Sequence, residues 1–458
     1  MLILLAAMAA ELPNAEQCRA ASGDPEAELA RSIGLQAYVY GYPMVDLLKQ
    51  RHNETRRVSP AQPVAAPVNT LAIYPHLLTA DVQGQLRAAN ADTLYLNAWL
   101  DLSQGPVMLD VPAMGKRYYT LAFMDLYGRP VHIGTRTNSG EARRYALIGP
   151  GGTAPAGADV VRLETDTVWM LGRVLAVAGD DLERARALAD AIRLVGKAGP
   201  AVSEAAPLRP MESLQFFALL NQALGSVPIR EGEDALMALF DQAGFGPRVA
   251  FDANGLSDGQ RLGLGCALAA GPGVLSRRGF TPTHVRNGWM WSADIADPGF
   301  DYLLRAEAAR GGYVNDPAES IYPAAVTDDR GEPLDGTKRY RVRFARGALP
   351  PVDAFWSLTA YDRATSQLVP NAIERYTIGD RTPGLVHDSD GSLSLYLSAT
   401  PPPEGQANWL PVPATPFHIV LRMYLPRKEA LEGNYAPPVV ERIAQDQEIG
   451  DDNTRSAH

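Results

Sequence analysis

The residues whose types best suit chemistry begin at Asn90-Ala91-Asp92. Asp92 stands at the mouth of a segment that alternates apolar and polar positions from Thr93 onward. A carboxylate there serves as general acid or base if its pocket raises its pKa. The competing use is an Asx-turn, in which it accepts backbone N–H groups. Tyr95, Asn97, Trp99 and Asp101 fall on one face of the same predicted strand. Rings that stack and an amide that orients suit a sugar or another polar ring. The same pattern also describes an amphipathic strand covered by its neighbour. Asp125 ends a strand in which Leu121 and Phe123 share its face. It either gains a raised pKa from that apolar setting or caps the turn at Tyr127-Gly128.

In the second half the candidates are arginines and aromatics. A guanidinium fork matches a carboxylate or a developing oxyanion, which singles out Arg375 and Arg422. Arg305, beside Ala306 in a predicted helix, reads as half of a structural ion pair. Arg422 and Tyr424 share a strand face opposite the apolar set Phe417, Ile419, Leu421, Met423 and Leu425. Ser357, Thr359 and Tyr361 share the face of Phe355, and no G-x-S-x-G elbow surrounds Ser357. Trp409, in the loop-like run Asn408-Trp409-Leu410-Pro411, either stacks on a ligand or plugs a domain interface. These readings assign catalysis to Asp92, Tyr95, Arg422 and Tyr424. They assign substrate binding to Asn90, Asn97, Trp356, Tyr361, Arg375 and Trp409.

Several functional classes are disfavoured. None of the seven histidines pairs at metal-ligand spacing and no H-E-x-x-H occurs, so no metal is expected. A metal site would have to be assembled from residues distant in sequence, for example His132 with Asp125. Gly149-Pro150-Gly151-Gly152 lacks the following Lys-Ser/Thr of a phosphate loop, and no dinucleotide fingerprint is present, so no cofactor is expected. The net charge is −10 without a dense Lys/Arg run, which argues against a nucleic-acid partner. Met1–Ala10 is wholly apolar, and Ala7-Met8-Ala9 fits a signal-peptidase cut, although a positive amino-terminal region is missing. Export to the periplasm or medium is expected, with no integral membrane span. Cys18 and Cys266 can pair in an exported chain, but the preferred reading is two unpaired cysteines with Cys266 buried in a helix.

The 458 residues include 41 glycines and 36 prolines, enough length for two or three domains and many turns. A helix is predicted from Pro25, capped by Asp24, to about Tyr42, where Pro43 permits a kink or stop. Residues 51–68 read as an extended loop. Strands follow at 93–101, 107–111, 118–125, 145–148, 160–163 and 168–174. Helical periodicity takes over at 180–192, opened by an Asp180–Glu183 capping box, and at 211–224, 231–243 and 257–270. Alternation returns at 339–344, 353–361, 392–398 and 418–425, joined by Asp335-Gly336 and Asp390-Gly391 turns. The expected fold is mainly β with added helices (α+β): two sandwich or jelly-roll-like domains with a helical segment between them. Expected boundaries are a possible signal-peptide remnant at 1–10, a helix plus β domain at 24–178, helices at 179–275, a β-sandwich at 276–440 and a polar tail at 441–458.

The order of motifs is distinctive. Asn90-Ala91-Asp92-Thr93-Leu94-Tyr95, Trp99-Leu100-Asp101-Leu102, Arg117-Tyr118-Tyr119 and Gly134-Thr135-Arg136 mark the first half. Asp301–Ala306, Leu349-Pro350-Pro351, Ala354–Thr359, Tyr361-Asp362, Arg375-Tyr376, Asn408–Pro411 and Arg422-Met423-Tyr424 mark the second. Over roughly residues 30 to 440 the chain resembles a bacterial family of paired domains of unknown function, 1254 followed by 1214. Ala91 stands where that family often has a larger polar residue. The resemblance implies export, two β-sandwich-like domains and self-association into oligomers. A similarity of fold to jelly-roll glycan amidases points toward hydrolysis of a glycan or amide bond. A small-molecule or glycan substrate, met at an interdomain cleft by acid–base chemistry, is therefore expected. The alternative is a non-catalytic ligand-binding or envelope-assembly protein.

Overall fold

The computed structural model describes residues 12–56, 66–82, 88–200, 208–278, 282–292, 295–313 and 315–443. The expected signal segment, 1–10, and nearly all of the 441–458 tail lie outside these residues. The chain divides into two compact units. Unit 1 comprises Met1–Leu77, Asp92–Thr281 and Asp294–Glu319; unit 2 comprises Leu78–Ala91, Pro282–Ala293 and Ser320–His458.

Unit 1 holds strands β1 (Ala72–Ile73), β2 (Thr93–Asp101), β3 (Val107–Val111), β4 (Tyr119–Met124), β5 (Pro130–Gly134), β6 (Arg143–Ile148), β7 (Asp159–Arg162), β8 (Thr167–Leu175) and β9 (Arg193–Val195). They form a five-stranded sheet, β1-β2-β8-β4-β5, and a four-stranded sheet, β7-β6-β3-β9. Period-two alternation decides the layers. Leu94, Leu96, Leu100, Leu121, Phe123, Val168 and Met170 turn inward to meet Leu109 and Leu147 in one core cluster. The opposite face of the larger sheet carries Tyr95, Asn97, Trp99 and Arg173.

Seven described helices of unit 1 precede its last one, α8: α1 (Ala15–Ala20), α2 (Pro25–Glu54), α3 (Thr135–Asn138), α4 (Asp180–Ala191), α5 (Gln215–Leu224), α6 (Asp234–Gln242) and α7 (Asp258–Arg278), with α8 at Tyr302–Arg310. Helix α2 is the spine of a helical core that gathers Tyr38, Met44, Phe216, Phe240 and Leu268. It does not stop at Tyr42 but runs through Pro43 to Glu54. An internal proline costs a helix about 3 kcal/mol, and the burial of Met44, Val45, Leu47 and Leu48 beyond it offsets that cost. Helix α7 likewise continues through Pro272 to Arg278, past its expected end. The two long helices approach closely: a Cβ on Gly263 would collide with the Ala27 carbonyl.

Two further expectations are corrected. Helix α4 starts from Gly179, at φ +85°, with no side-chain cap. Asp181 instead accepts from both Arg117 terminal nitrogens, at 2.9 and 2.6 Å, and from the Val177 N–H. Those bonds hold its carboxyl well below the usual range. Cys18 and Cys266 are not separate thiols but form a disulfide that ties α1 to α7.

Unit 2 holds β10 (His284–Arg286), β11 (Trp289–Trp291), β12 (Ser320–Ile321), β13 (Ala324–Ala325), β14 (Arg339–Phe344), β15 (Val352–Asp362), β16 (Thr377–Gly379), β17 (Leu393–Ser398), β18 (Trp409–Pro411), β19 (Phe417–Pro426) and β20 (Val440–Ile443), with α9 at Lys428–Leu431. A seven-stranded sheet runs β10-β11-β13-β19-β15-β16, with β12 also on β19; a four-stranded sheet runs β18-β17-β14-β20. Trp356, Leu358, Leu421 and Met423 of the larger sheet share a core with Val342, Phe344, Leu395 and Leu397 of the smaller. Both units are thus sandwich-like, and the protein is mainly β with added helices. Among the described residues no helix is long and apolar enough to cross a membrane.

Candidate functional site

Each unit carries a polar, largely buried face on the side of its larger sheet that the sandwich core does not use. In unit 2 this face is built from the longest strand pairing, with Phe355 opposite Tyr424, Ser357 opposite Arg422 and Tyr361 opposite His418. The segment before β2 is seated on it. Asn90 Nδ2 donates to the Tyr424 hydroxyl at 2.9 Å. The Tyr361 hydroxyl donates to the Ala89 carbonyl at 2.6 Å, and Arg422 donates to the Ala88 carbonyl. Ala88 has φ +47°, a left-handed conformation that turns the chain onto the sheet.

The rings and cations of this face are stacked. Tyr424 lies on Phe355 with centroids 4.1 Å apart. Arg381 sits 3.7 Å over Phe355 and Arg422 sits 5.4 Å over Tyr361. Burial, then Arg363 and Arg422, push the His418 pKa down to about 4, so its ring is neutral at pH 7. A guanidinium, two phenols and an amide are therefore collected within one buried surface. Such a set can bind a carboxylate, carbonyl or hydroxyl and can stabilise a developing oxyanion.

The other second-half candidates lie elsewhere. Trp356 is on the opposite face of β15, in the core, 5.1 Å from the Phe344 ring, and is not available for substrate binding as expected. Strict alternation explains this: Trp356 sits between Phe355 and Ser357, so it takes the inner face. Arg375 donates through one nitrogen to the carbonyls of Gln406, Ala407 and Trp409 at 2.6, 3.2 and 2.8 Å, which staples that loop. Trp409 is buried in β18 and donates to the Ser398 carbonyl at 2.9 Å.

In unit 1 the predicted face of β2 is real. Its register sets Tyr95 against Arg173, Asn97 against Leu171 and Trp99 against Trp169. What the sequence did not single out is Glu54, at the end of α2. Its Oε2 accepts from Asn97 Nδ2 and Trp99 Nε1, both at 2.8 Å, and its Oε1 accepts from Gln50. The Trp169 Nε1 donates to Asn97 Oδ1 at 2.7 Å and thereby fixes the amide's orientation. Burial raises the Glu54 pKa against the pull of these three donors. Reading Pro43 as a stop hides this residue, because it turns 51–56 into loop.

The same face continues through Arg173, 5.5 Å from the Tyr95 ring, to Thr120 and His132. His132 Nε2 accepts the Asp316 N–H at 3.2 Å, so in the neutral ring the proton is on Nδ1, 3.1 Å from Thr120 Oγ1. The ring donates to Thr120 rather than activating it, and both nitrogens are engaged within the protein. Burial, then Arg173 and Arg136, push the His132 pKa down to about 3. Asp125 combines both of its expected readings. Its Oδ1 accepts the Arg129 N–H at 2.9 Å in the turn, and burial pushes its pKa up to about 6. Asp92 is buried at the start of β2, where its carbonyl accepts the Ala176 N–H. Arg305 is held by the Tyr40 carbonyl at 2.7 Å and by the rings of Tyr40, Tyr302 and Tyr127, in place of the expected ion pair. Among the described residues no group of three or more His, Cys, Asp or Glu side chains is placed to hold a metal.

Comparison with known proteins agrees with these motifs. Residues 68–196 match the family described as protein of unknown function DUF1254, and residues 319–428 match protein of unknown function DUF1214. The fold is similar to the crystal structure of the VPA0106 protein from Vibrio parahaemolyticus, at 24% identity and a TM-score of 0.69, over 91% of this chain and 100% of that one. A crystal structure of an uncharacterized protein from Burkholderia cenocepacia matches at 12% identity and a TM-score of 0.44, over 94% and 99% of the two chains. No curated protein matches. With both halves present in the order that Asn90–Tyr95 and Arg422–Tyr424 imply, the chain belongs to the family that pairs an amino-terminal DUF1254 domain with a carboxy-terminal DUF1214 domain.

Proposed function

We propose that this is an exported hydrolase that acts on a polar substrate of the glycan or amide class at the Arg422–Tyr424 face of unit 2. The observation that carries the reading is the joint placement of Arg422, Tyr424, Tyr361 and Asn90 on a buried surface that the sandwich core does not need. In the reaction, water adds to the carbonyl or acetal carbon. The Arg422 guanidinium stabilises the oxygen that gains charge; the Tyr424 hydroxyl gives its proton to the departing group as the bond to it breaks, and the phenolate recovers a proton from the added water. The Tyr361 ring under the guanidinium and the Asn90 amide hold these two groups in place. The Cys18–Cys266 disulfide supports an oxidising compartment, and so export.

The second reading, a non-catalytic binding protein, is favoured by the main-chain bonds of Arg422 and Tyr361 to Ala88 and Ala89, which fix these groups rigidly. One experiment separates the two. The purified protein is incubated with periplasmic extract and a panel of glycans and glycopeptides, and masses are compared with those from Arg422→Lys and Tyr424→Phe. A product formed by the unmodified protein and reduced by about 10²–10³ in Arg422→Lys establishes the hydrolase. An unchanged compound retained by the protein establishes the binder. Neither product nor retention overturns both. Asp92→Asn, run alongside, tests the acid–base role expected of Asp92: undiminished turnover removes it.

A further inference from the structure

A second candidate site lies in the helical layer of unit 1 and is lined by residues of neither polar sheet face. Glu28, Ser32, Leu35 and Val39 are spaced four, three and four residues apart, so they form one stripe along α2. With Leu236 of α6, Val274 of α7 and the Phe300–Leu303 turn into α8, this stripe walls a groove of about 740 Å³. That size is typical of a small-molecule site, as is a lining that mixes apolar side chains with a few polar groups. Phe300 stands at the edge, 61% exposed, although apolar rings of that size are usually covered.

The polar end is incompletely satisfied. The Glu28 side chain is 47% exposed: its Oε1 meets Arg31 at 3.4 Å, a loose contact, while Oε2 is turned from solvent and has no hydrogen-bond partner among the described residues. The neighbouring carboxylate, Asp301, already accepts the Leu304 N–H as the cap of α8. A carboxylate oxygen that is shielded from solvent and lacks a donor has room to accept one from outside. The donor must be attached to something apolar enough to fill the groove. An ammonium head brings positive charge and three donors, whereas an anionic head would meet two carboxylates, Glu28 and Asp301, against the single cation Arg31.

We propose that this groove binds a small amphiphile, with its aliphatic body along Leu35 and Val39 and a primary ammonium head on Glu28 Oε2. The test measures binding of n-octylamine and n-octanoate to the full chain by calorimetry, below their micellar concentrations. One octylamine per chain is expected, at least tenfold tighter than octanoate. Glu28→Gln should weaken octylamine about tenfold and narrow that preference. Ser32→Trp, at an exposed position where folding tolerates a large ring, should block the groove with thermal melting unchanged. Octanoate binding as tightly as octylamine overturns the proposal. So does octylamine binding that survives Ser32→Trp, or the absence of octylamine binding.

Discussion

Asn90 and Tyr424 lie 334 positions apart in the chain and are joined by a 2.9 Å hydrogen bond from the Asn90 amide to the Tyr424 hydroxyl. The bond places the end of a first-half motif within the unit that β15 and β19 build. Asn90 falls in unit 2, whereas Asp92, two residues later, falls in unit 1 just before β2. Tyr361 and Arg422 reinforce the arrangement by bonding the carbonyls of Ala89 and Ala88.

Removing either end of that bond should destabilise the protein through the same contact. Asn90→Ala and Tyr424→Phe are each expected to cost about 1–2 kcal/mol, and the double variant less than their sum, because a buried polar group left alone carries most of the cost. Urea denaturation of the four proteins measures the coupling; full additivity would show that the bond contributes nothing.

Asp125 should make stability fall as pH rises. Its folded pKa, about 6, exceeds its ordinary value of 3.8, so between these values the folded protein binds more protons than the unfolded chain. The contribution is fully present below pH 3.8 and is lost by pH 6, on the order of 3 kcal/mol across the window. Asp125→Asn keeps an acceptor for the Arg129 N–H and should flatten this limb, raising the melting temperature at pH 7 but not at pH 3.5. An unchanged pH profile would refute the assignment.

His132 should act with the opposite sign. Its folded pKa of about 3 lies below its ordinary 6.5, so its contribution is present above pH 6.5 and is lost as pH falls toward 3. The loss is roughly 4–5 kcal/mol over the full window. His132→Gln retains an acceptor for the Asp316 N–H without the titration, and acid unfolding of that variant should begin at lower pH than in the parent.

The disulfide closes a loop between positions separated by 248 residues. In the chain-entropy account such a closure stabilises the folded state by about 5.5 kcal/mol. Cys18→Ser/Cys266→Ser, or the reduced parent, should therefore melt at lower temperature with the sheets intact by circular dichroism. Identical melting with and without reductant would show that the link is not formed in solution.

Much of the architecture was legible in the chain because alternation is a local property. Thr93–Asp101, Arg339–Phe344 and Phe417–Pro426 each show a period of two, and a pleated strand must send successive side chains to opposite faces. The polar rows Tyr95–Asn97–Trp99 and Arg422–Tyr424 were therefore readable, and so was the inward position of Trp356, which its character as a large aromatic had obscured. The turns at Asp335-Gly336 and Asp390-Gly391, the cap of α2 by Asp24 and the family motifs are similarly local.

Tertiary structure decided what depends on partners remote in sequence. Pro43 is a local stop signal, and only the burial of Met44, Val45 and Leu47 against the other helices overrides it. That continuation carries Glu54 to Asn97 and Trp99, a meeting no spacing encodes, and encloses its carboxyl enough to raise the pKa. The pairing of Cys18 with Cys266 follows from the packing of α1 on α7. A sequence specifies which faces are apolar; which polar groups then share a low-dielectric surface is settled by the way those faces close.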